Sequence, residues 1–344
     1  FIQPDTRRNE VTSFVSQGLQ DFSISRVNLD WGIPVPPDPT HTLYVWFDAL
    51  LGYVTALLEP DDAPNLENAL ARWWPVNLHL IGKDILRFHA VYWPAMLMSV
   101  GVSLPDRIFG HGYLTKDGQK MGKTLGNVLD PFAIVERYGS DAVRYYFLKE
   151  IEFGRDGDFN ETRFINILNA ELANDLGNLL NRTLKMAQKY CNSQVPTPTV
   201  DSTIDNSLSI LGKTLSDRVT RAYEALAFSE ACDAILALVR SGNKFIDEQA
   251  PWTLYKQGNQ PAVEQVIYTV LESVRLAAYL LSPIIPNISN AIYQQLGFSV
   301  NFTNQQTESA PFEIHSTWGI LTAGQTLGDP QPVFQRLELL ETVS

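Results

Sequence analysis

The chain has 344 residues, which at about 150 residues per domain points to two domains or three. Apolar residues make up 45% and charged residues 19%, which excludes wholesale disorder, collagen and a coiled-coil rod. No apolar run reaches the ~18 residues that a membrane span needs, so no membrane partner is expected. Lys and Arg number 26 against 38 Asp and Glu, a net charge of −12. As a global sum that speaks against nucleic acid, but a polyanion responds to the local field, so a local basic stripe decides the matter. The two cysteines, Cys191 and Cys232, are too few for a four-cysteine zinc site or a disulfide framework. They read as reduced thiols of a cytoplasmic protein. No signal peptide is visible, and the chain begins at Phe1 rather than Met, so it is expected to be part of a longer polypeptide.

Residues 1–112 alternate short apolar runs with helical patterns, the α/β signature. Tyr44-Val45-Trp46-Phe47 is apolar on both faces and reads as a buried parallel strand. Asp48 then caps a helix that runs through Tyr53 to Leu58. Residues 60–77 form an acidic surface excursion. Leu78-His79-Leu80-Ile81 is a second strand, with Gly82 making the turn out of it. A helix carrying Asp84, Ile85, Phe88, His89, Tyr92 and Trp93 lasts until Pro94 disturbs it. Arg107-Ile108-Phe109 is a short third strand leading into Gly110-His111-Gly112. From Tyr113 to about Asn160 the pattern is loop and then short helices. Asp130-Pro131 is an N-cap with proline at the first helical position, Gly139 stops that helix, and Ser140 caps the next, which lasts to about Glu150. Helices follow near 162–191, 205–225, 228–248, 262–281 and 286–296, with Ser/Thr/Pro-rich linkers such as 194–203. They predict an antiparallel bundle, and the last thirty or so residues read as an extended tail.

Four constellations carry chemistry. Asp117-Gly118-Gln119-Lys120-Met121-Gly122-Lys123-Thr124-Leu125-Gly126-Asn127 sets two lysines three apart in a glycine-rich loop, where two ammonium groups can hold a polyphosphate. It fails the P-loop spacing, and two lysines alone also suit a solvated basic turn. Ile81-Gly82-Lys83-Asp84-Ile85-Leu86-Arg87-Phe88-His89 lies at the C-terminal end of a strand, where open α/β sheets bind ligands. There Gly82 admits a nucleotide and Asp84 accepts from ribose hydroxyls, unless Asp84 is only a cap and His89 only a core histidine. Trp46 with Tyr53 walls an apolar pocket with a polar tip, or is ordinary core. Asn174, Asn178, Asn181, Arg182, Lys185 and Lys189 share one helix face, and Trp252 follows Ala250-Pro251. Amide edges beside cations, with an indole to stack on, suit RNA bases, and a solvated helix face is the plainer account.

Together these motifs resemble one family. Lys120-Met121-Gly122-Lys123-Thr124 resembles the Lys-Met-Ser-Lys-Ser loop of class I aminoacyl-tRNA synthetases. Tyr44-Val45-Trp46-Phe47-Asp48-Ala49, the Ile81 to His89 segment with Trp93-Pro94, Asp247-Glu248-Gln249-Ala250-Pro251-Trp252, and Asp21-Phe22-Ser23-Ile24-Ser25-Arg26 look like methionyl-tRNA synthetases in order and spacing. The resemblance runs from near residue 7 to about 335. It implies an α/β Rossmann-like catalytic part, present as its second half with a parallel sheet, in 1–112. A lysine-loop and stem-contact segment would occupy 113–160. An all-α anticodon-binding helix bundle with its tail would occupy 161–344, the tail from about Pro330 packing back across domains.

The resemblance also assigns residues. Trp46, Ala49, Tyr53, Ile85 and His89 would form a methionine pocket, an apolar slot suited to a thioether, with Arg26 helping to hold it or the substrate carboxylate. Gly82, Asp84, His111, Gly112 and the backbone of Leu114 would hold the adenosine of ATP, and Lys120 and Lys123 would stabilise the pentacoordinate phosphate. Asn178, Arg182 and Trp252 would read the anticodon of initiator and elongator tRNA(Met). Mg2+ would arrive with ATP. No metal ligands are expected in this chain, and zinc only in a preceding part. A monomer is expected. Two departures stand out. Gly122 and Thr124 replace the family's serines. The His-Ile-Gly-His signature does not occur, histidine being confined to 41, 79, 89, 111 and 315. The chain therefore reads as the C-terminal portion of a methionine-activating, tRNA-charging enzyme. The alternatives are a truncated, inactive tRNA-binding module and a nucleotidyl-transferase that acts on no tRNA, and the Asn178, Arg182 and Trp252 set argues against the last.

Overall fold

The computed structural model describes residues 1–27, 29, 31–198, 204–303 and 310–339. They fall into two units, 1–113 with 154–156 and 114–153 with 157 onward. The first is built on short parallel strands. β1 (Ile2–Gln3) leads into α1 (Asp5–Ser16), a helix that the sequence pattern did not predict. A separate antiparallel sheet follows, from β2 (Ser25–Val27), β3 (Pro34–Val35) and β4 (Asp38–Leu43), in the order β2-β4-β3. Then come α2 (Val45–Thr55), α3 (Leu66–Leu70), β5 (His79–Gly82), α4 (Trp93–Ser99) and β6 (Ile108–His111). The parallel sheet has the order β1-β6-β5, with Ile2 and His79 both in register with Ile108. The strands expected at 78–81 and 107–109 are present, each shifted by about one residue.

Tyr44 to Phe47 is the main correction. These residues do not form a parallel strand. The Tyr44 N–H donates to the Ile24 carbonyl (2.8 Å), ending the antiparallel ladder, and the Tyr44 carbonyl accepts from Phe47 N (2.8 Å) to begin α2. Tyr44 is thus the N-cap, and Asp48 sits in the first turn instead of capping it. Aromatic and β-branched residues favour strands, but Trp46, Leu50 and Val54 recur every four residues and place one helix face on the core. Leu50 and Val54 are buried there with Ala69, Trp93 and Leu97, and Trp46 packs against them. A second cluster, Val11, Ile81, Leu86, Ala90, Val91 and Ile108, seats α1 on the parallel strands. Pro94 is a further correction, since it falls in the first turn of α4 and the helical path continues to Ser99. A proline ring clashes with the carbonyl four residues back. Here that carbonyl is on Ala90, inside a wide, π-helical turn, Phe88–Tyr92, that makes room for the ring.

In the second unit β7 (Leu114–Lys116), β8 (Gln119–Lys120) and β9 (Gly157–Phe159) form a small sheet in the order β8-β7-β9, where only loop was expected before the helices. α5 (Pro131–Tyr138) starts as predicted, the Asp130 carboxylate accepting from Phe132 N at 2.9 Å, and it ends at Gly139 with φ 84°. α6 (Ser140–Glu150) corrects the next cap: Ser140 is its first residue, and no side chain caps it. Glu161–Leu168 (α7), a π-helical stretch Asn169–Gly177 and Asn178–Tyr190 (α8) form the long helix expected at 162–191. α9 (Ser207–Glu224), α10 (Phe228–Gln249), α11 (Pro251–Lys256), α12 (Gln260–Leu281) and α13 (Pro286–Gln295) complete the bundle, and α14 (Phe312–His315) precedes the tail. The first part of the 194–203 linker is pinned to the tail, Val195 N donating to Gln325 O at 2.9 Å; residues 199–203 lie outside the described residues, as do the last five of the tail. The described tail packs Val333, Phe334 and Leu337 on the bundle, and Asn169 bonds both the N–H and the carbonyl of Leu337.

α12 is buried all round, as an apolar central helix must be. Its two charged residues inside the core, Glu272 and Arg275, pair at 2.6 Å with no side-chain exposure. Arg275 also donates to the carbonyls of His315 (2.6 Å) and Thr317 (2.5 Å), and Glu272 accepts from Gly319 N (2.7 Å). Removing one member strands a buried charge, which costs about 3–5 kcal/mol. Glu272→Met should therefore destabilise the bundle by about that much in urea unfolding, while the double substitution with Arg275→Met loses clearly less than the sum of the two single changes.

Candidate functional site

β5 and the wide turn after it build the first cluster. His89 lies in that turn at 1% exposure. Its Nδ1 is 3.0 Å from the Ile85 carbonyl, which only accepts, so Nδ1 carries the proton. Nε2 is then free to accept from the Tyr53 hydroxyl at 2.8 Å. Burial lowers the His89 pKa, against an opposing effect of the Ile85 bond, and burial raises that of Tyr53. Trp46 stands edge-on to His89 (6.0 Å) and stacks on Phe88 (4.2 Å). Trp46, Tyr53, Ile85 and His89 are therefore brought together. Ala49 is exposed and lies between Trp46 and Tyr53 along α2, three residues after the first and four before the second. The Arg26 guanidinium lies over the Tyr44 ring at 3.6 Å and donates to the carbonyls of Ser23 and Ser25.

The space beside this cluster is divided. A cleft of about 250 Å3 is lined by Phe22, Trp46, Leu50, Phe88, Tyr92 and Met96, while Tyr53 opens on another of about 530 Å3 with Trp73, Trp74 and His79. His79 was not singled out by sequence. Its β5 position alternates with Ile81 toward the buried face, and that alternation was the available signal. The Trp93 indole N–H donates to His79 Nε2 at 3.2 Å, so His79 is neutral with its proton on Nδ1. Burial, then the neighbouring His89, pushes its pKa down to about 4.

Gly82 ends β5, and Asp84 lies in the turn Lys83–Ile85, so the two share a strand-to-helix corner. The C-terminal ends of the parallel pair, Gly82 and His111, are in register. His111 Nδ1 is 2.9 Å from the Gly112 carbonyl. A side chain at Gly112 would meet the Arg155 carbonyl oxygen at 2.2 Å, so only glycine fits. Lys83 was overlooked as a structural element: it pairs with Asp156 at 2.7 Å, and Asp156 also accepts from Tyr113 N at 2.8 Å. The Lys83 bond, then that N–H, hold the Asp156 carboxyl below its ordinary value.

Leu114, Lys120 and Lys123 belong to the second unit. Leu114 opens β7, Lys120 ends β8, and Lys123 starts a short turn of helix, Lys123–Leu125. Both lysines are exposed, and among the described residues neither pairs with a carboxylate. Elsewhere in this unit, Asn178 opens α8 on the exposed side, and Arg182 pairs with Asp247 of α10 at 2.6 Å. Trp252 is 40% exposed, on α11, five residues beyond Asp247 and just after Ala250 at φ 43°. Arg182 is thus tied to the last turn of α10, and Asn178 lies one turn from it along α8. Asn174 is turned to the tail, accepting from Arg336 at 2.9 Å. No described group of three or more His, Cys, Asp or Glu side chains is arranged to hold a metal ion, and no described helix is long and apolar enough to cross a membrane.

Parallel strands ending on a glycine turn, followed in sequence by a helical unit, define the class: an α/β unit of the doubly wound kind joined to an all-α bundle. Residues 3–184 match the family of class I tRNA synthetases (M), and the chain belongs to that family. Residues 197–342 match the anticodon binding domain of methionyl tRNA ligase. A methionine–tRNA ligase of a Nostoc species is 70% identical over 344 residues, 100% of this chain and 65% of the relative. The chloroplastic/mitochondrial methionine–tRNA ligase of Arabidopsis thaliana is 53% identical over 98% of this chain and 54% of the relative. The structure of Mycobacterium tuberculosis methionyl-tRNA synthetase in complex with methionyl-adenylate superposes with a TM-score of 0.86 at 43% identity, covering 98% of this chain and 64% of that one. The chain thus spans a little under two thirds of the first of these relatives.

The neutral histidines make a pH prediction. The folded-state pKa of His79 lies near 4 against 6.5 for the free group, so the unfolded chain binds the extra proton between those values. Its stabilisation is complete above about 6.5 and declines as the pH falls toward 4. The melting temperature should drop between pH 7 and pH 5, and His79→Gln, which keeps an acceptor for Trp93, should make that drop shallower.

Proposed function

We propose that the full-length protein is a methionine–tRNA ligase. A methionine carboxylate oxygen attacks the α-phosphorus of ATP, the bond to the bridging oxygen breaks, and pyrophosphate leaves. A ribose hydroxyl at the 3′ end of tRNA(Met), initiator or elongator, then takes the methionyl group from the adenylate and AMP departs. The observation that carries this reading is the order of the two family matches, catalytic at 3–184 and anticodon-binding at 197–342. Nothing in the relatives supports the alternative of an inactive tRNA-binding module, since they are named as ligases.

Residues 1–112 then carry the second half of the Rossmann catalytic part, 113–160 the lysine loop and stem-contact segment, and 161–344 the anticodon bundle with its tail. Trp46, Ala49, Tyr53, Ile85 and His89, with Arg26, hold methionine. The Tyr53–His89 hydrogen bond supports this, because it gives an aromatic wall one polar edge of fixed tautomer. Gly82, Asp84, His111, Gly112 and the Leu114 backbone hold adenosine. Lys120 and Lys123, unpaired with any described carboxylate, stabilise the charge that builds on the reacting phosphate. Mg2+ arrives on ATP as part of the substrate. Asn178, Arg182 and Trp252 receive the anticodon, the indole as a stacking surface. The protein works as a cytoplasmic monomer.

Lys123→Ala in the full-length enzyme should lower the methionine activation rate by about 10²–10³-fold with little change in the methionine Michaelis constant. A raised Michaelis constant with unchanged turnover would make Lys123 a ground-state contact only. Base stacking is worth roughly 1–3 kcal/mol, so Trp252→Ala should weaken tRNA charging by about 10–100-fold and leave methionine-dependent ATP–pyrophosphate exchange intact. A folded Trp252→Ala enzyme with unchanged preference between wild-type and anticodon-mutant tRNA would remove Trp252 from the recognition set.

A further inference from the structure

One side chain closes the lysine loop on itself. The Asn127 carboxamide uses both of its functions: Oδ1 accepts from the Gly122 N–H at 2.9 Å, and Nδ2 donates to the Lys120 carbonyl at 3.1 Å. The two bonds straddle Met121 and fix the backbone at Lys120 and just before Lys123. Met121 is held from the other side, its sulfur accepting from Leu129 N at 3.4 Å. Gly126, at φ 64°, supplies the left-handed residue that lets the chain return. Lys120 is also held in the β8 ladder opposite Thr115, and the Lys123 carbonyl accepts from Gly126 N at 3.3 Å, while among the described residues no carboxylate pairs with either ammonium group. Long exposed ammonium side chains lose much conformational freedom when ordered, so the backbone beneath them must already be fixed for both to meet one phosphate.

We infer that Asn127 is a positioning residue for Lys120 and Lys123, and the inference rests on the phosphate role proposed for those lysines. The carboxamide is specific to this task. A carboxylate in its place still accepts from Gly122 but turns a lone pair on the Lys120 carbonyl. An alanine leaves both backbone groups to water, which satisfies them in an exposed loop at little cost in stability but in many geometries. The side chain itself need touch no substrate.

The test uses the full-length enzyme with Asn127→Ala and the near-isosteric Asn127→Asp. Both should keep the melting temperature within about two degrees and the methionine Michaelis constant within about twofold. Both should lower the single-turnover rate of adenylate formation by about 10–100-fold. Independently of activity, amide exchange at Gly122 and tryptic cleavage after Lys120 and Lys123 should speed up in Asn127→Ala. A wild-type enzyme that forms no adenylate would refute the functional reading, and the exchange and cleavage data would still report on the clamp. An active wild type with either variant within about twofold of its rate, or unchanged exchange at Gly122 in Asn127→Ala, would overturn the positioning role. A rate loss matched by an equal fall in stability in both variants would likewise overturn it, making Asn127 only a structural residue.

Discussion

Glu272 and Arg275 sit one helical turn apart at the centre of α12 with no exposure to water. Two charges so placed must find every hydrogen bond within the protein, because desolvation otherwise outweighs their attraction. The helical unit supplies those bonds from the end of α14 and the segment after it. His315 and Thr317 give carbonyls to the guanidinium, and Gly319, Ile320 and Leu321 give N–H groups to the carboxylate. The polar pair thus draws an irregular segment across the core helix. Trp318, in the middle of that segment, lies so close to Gly212 of α9 that a side chain there would overlap its ring at 2.0 Å. Asp141 plays a related part: buried on α6, it accepts from Ile288 N at 2.8 Å and so closes the open end of α13.

The same economy recurs in the candidate site. His79, His89, Tyr53 and Trp93 share a small set of hydrogen bonds in which the indole, the phenol and the His89 Nδ1–H each find an acceptor, so both imidazoles stay neutral and of fixed tautomer. A neutral, oriented edge beside Trp46 and Phe88 can meet a weakly polar group without the cost of burying a charge. In the lysine loop the roles are reversed. There the backbone is fixed by Asn127, and the charges are left free.

The replacement of the family's serine by Gly122 is easier to assess with the loop in view. Gly122 has φ −154° and ψ 137°, a conformation open to any residue, and a Cβ there would meet nothing closer than Leu125 Cδ1 at 3.7 Å. Glycine is therefore not required at that position, and the loop holds its shape through Asn127 and Gly126 instead. Thr124 keeps a hydroxyl in the short turn after Lys123.

Sequence alone determined the long helices, since several turns of amphipathic repeat outweigh local exceptions. It also determined the Asp130 and Gly139 boundaries, which depend on cap chemistry within four or five residues. The lysine loop, the Gly82 corner and the Trp46, Tyr53 and His89 set were legible as motifs. Only the tertiary structure decided what surrounds them. Tyr44 to Phe47 became a helix start because the antiparallel ladder closes at Ile24, twenty residues earlier. Pro94 was absorbed because a wide turn precedes it. Arg26 was drawn onto the Tyr44 ring. Asn127 and His79 gained their roles from partners that periodicity does not report. Local pattern fixes which face of an element is apolar, but a hydrogen-bond partner brought from another element is a property of the packed chain, and the sequence does not print it.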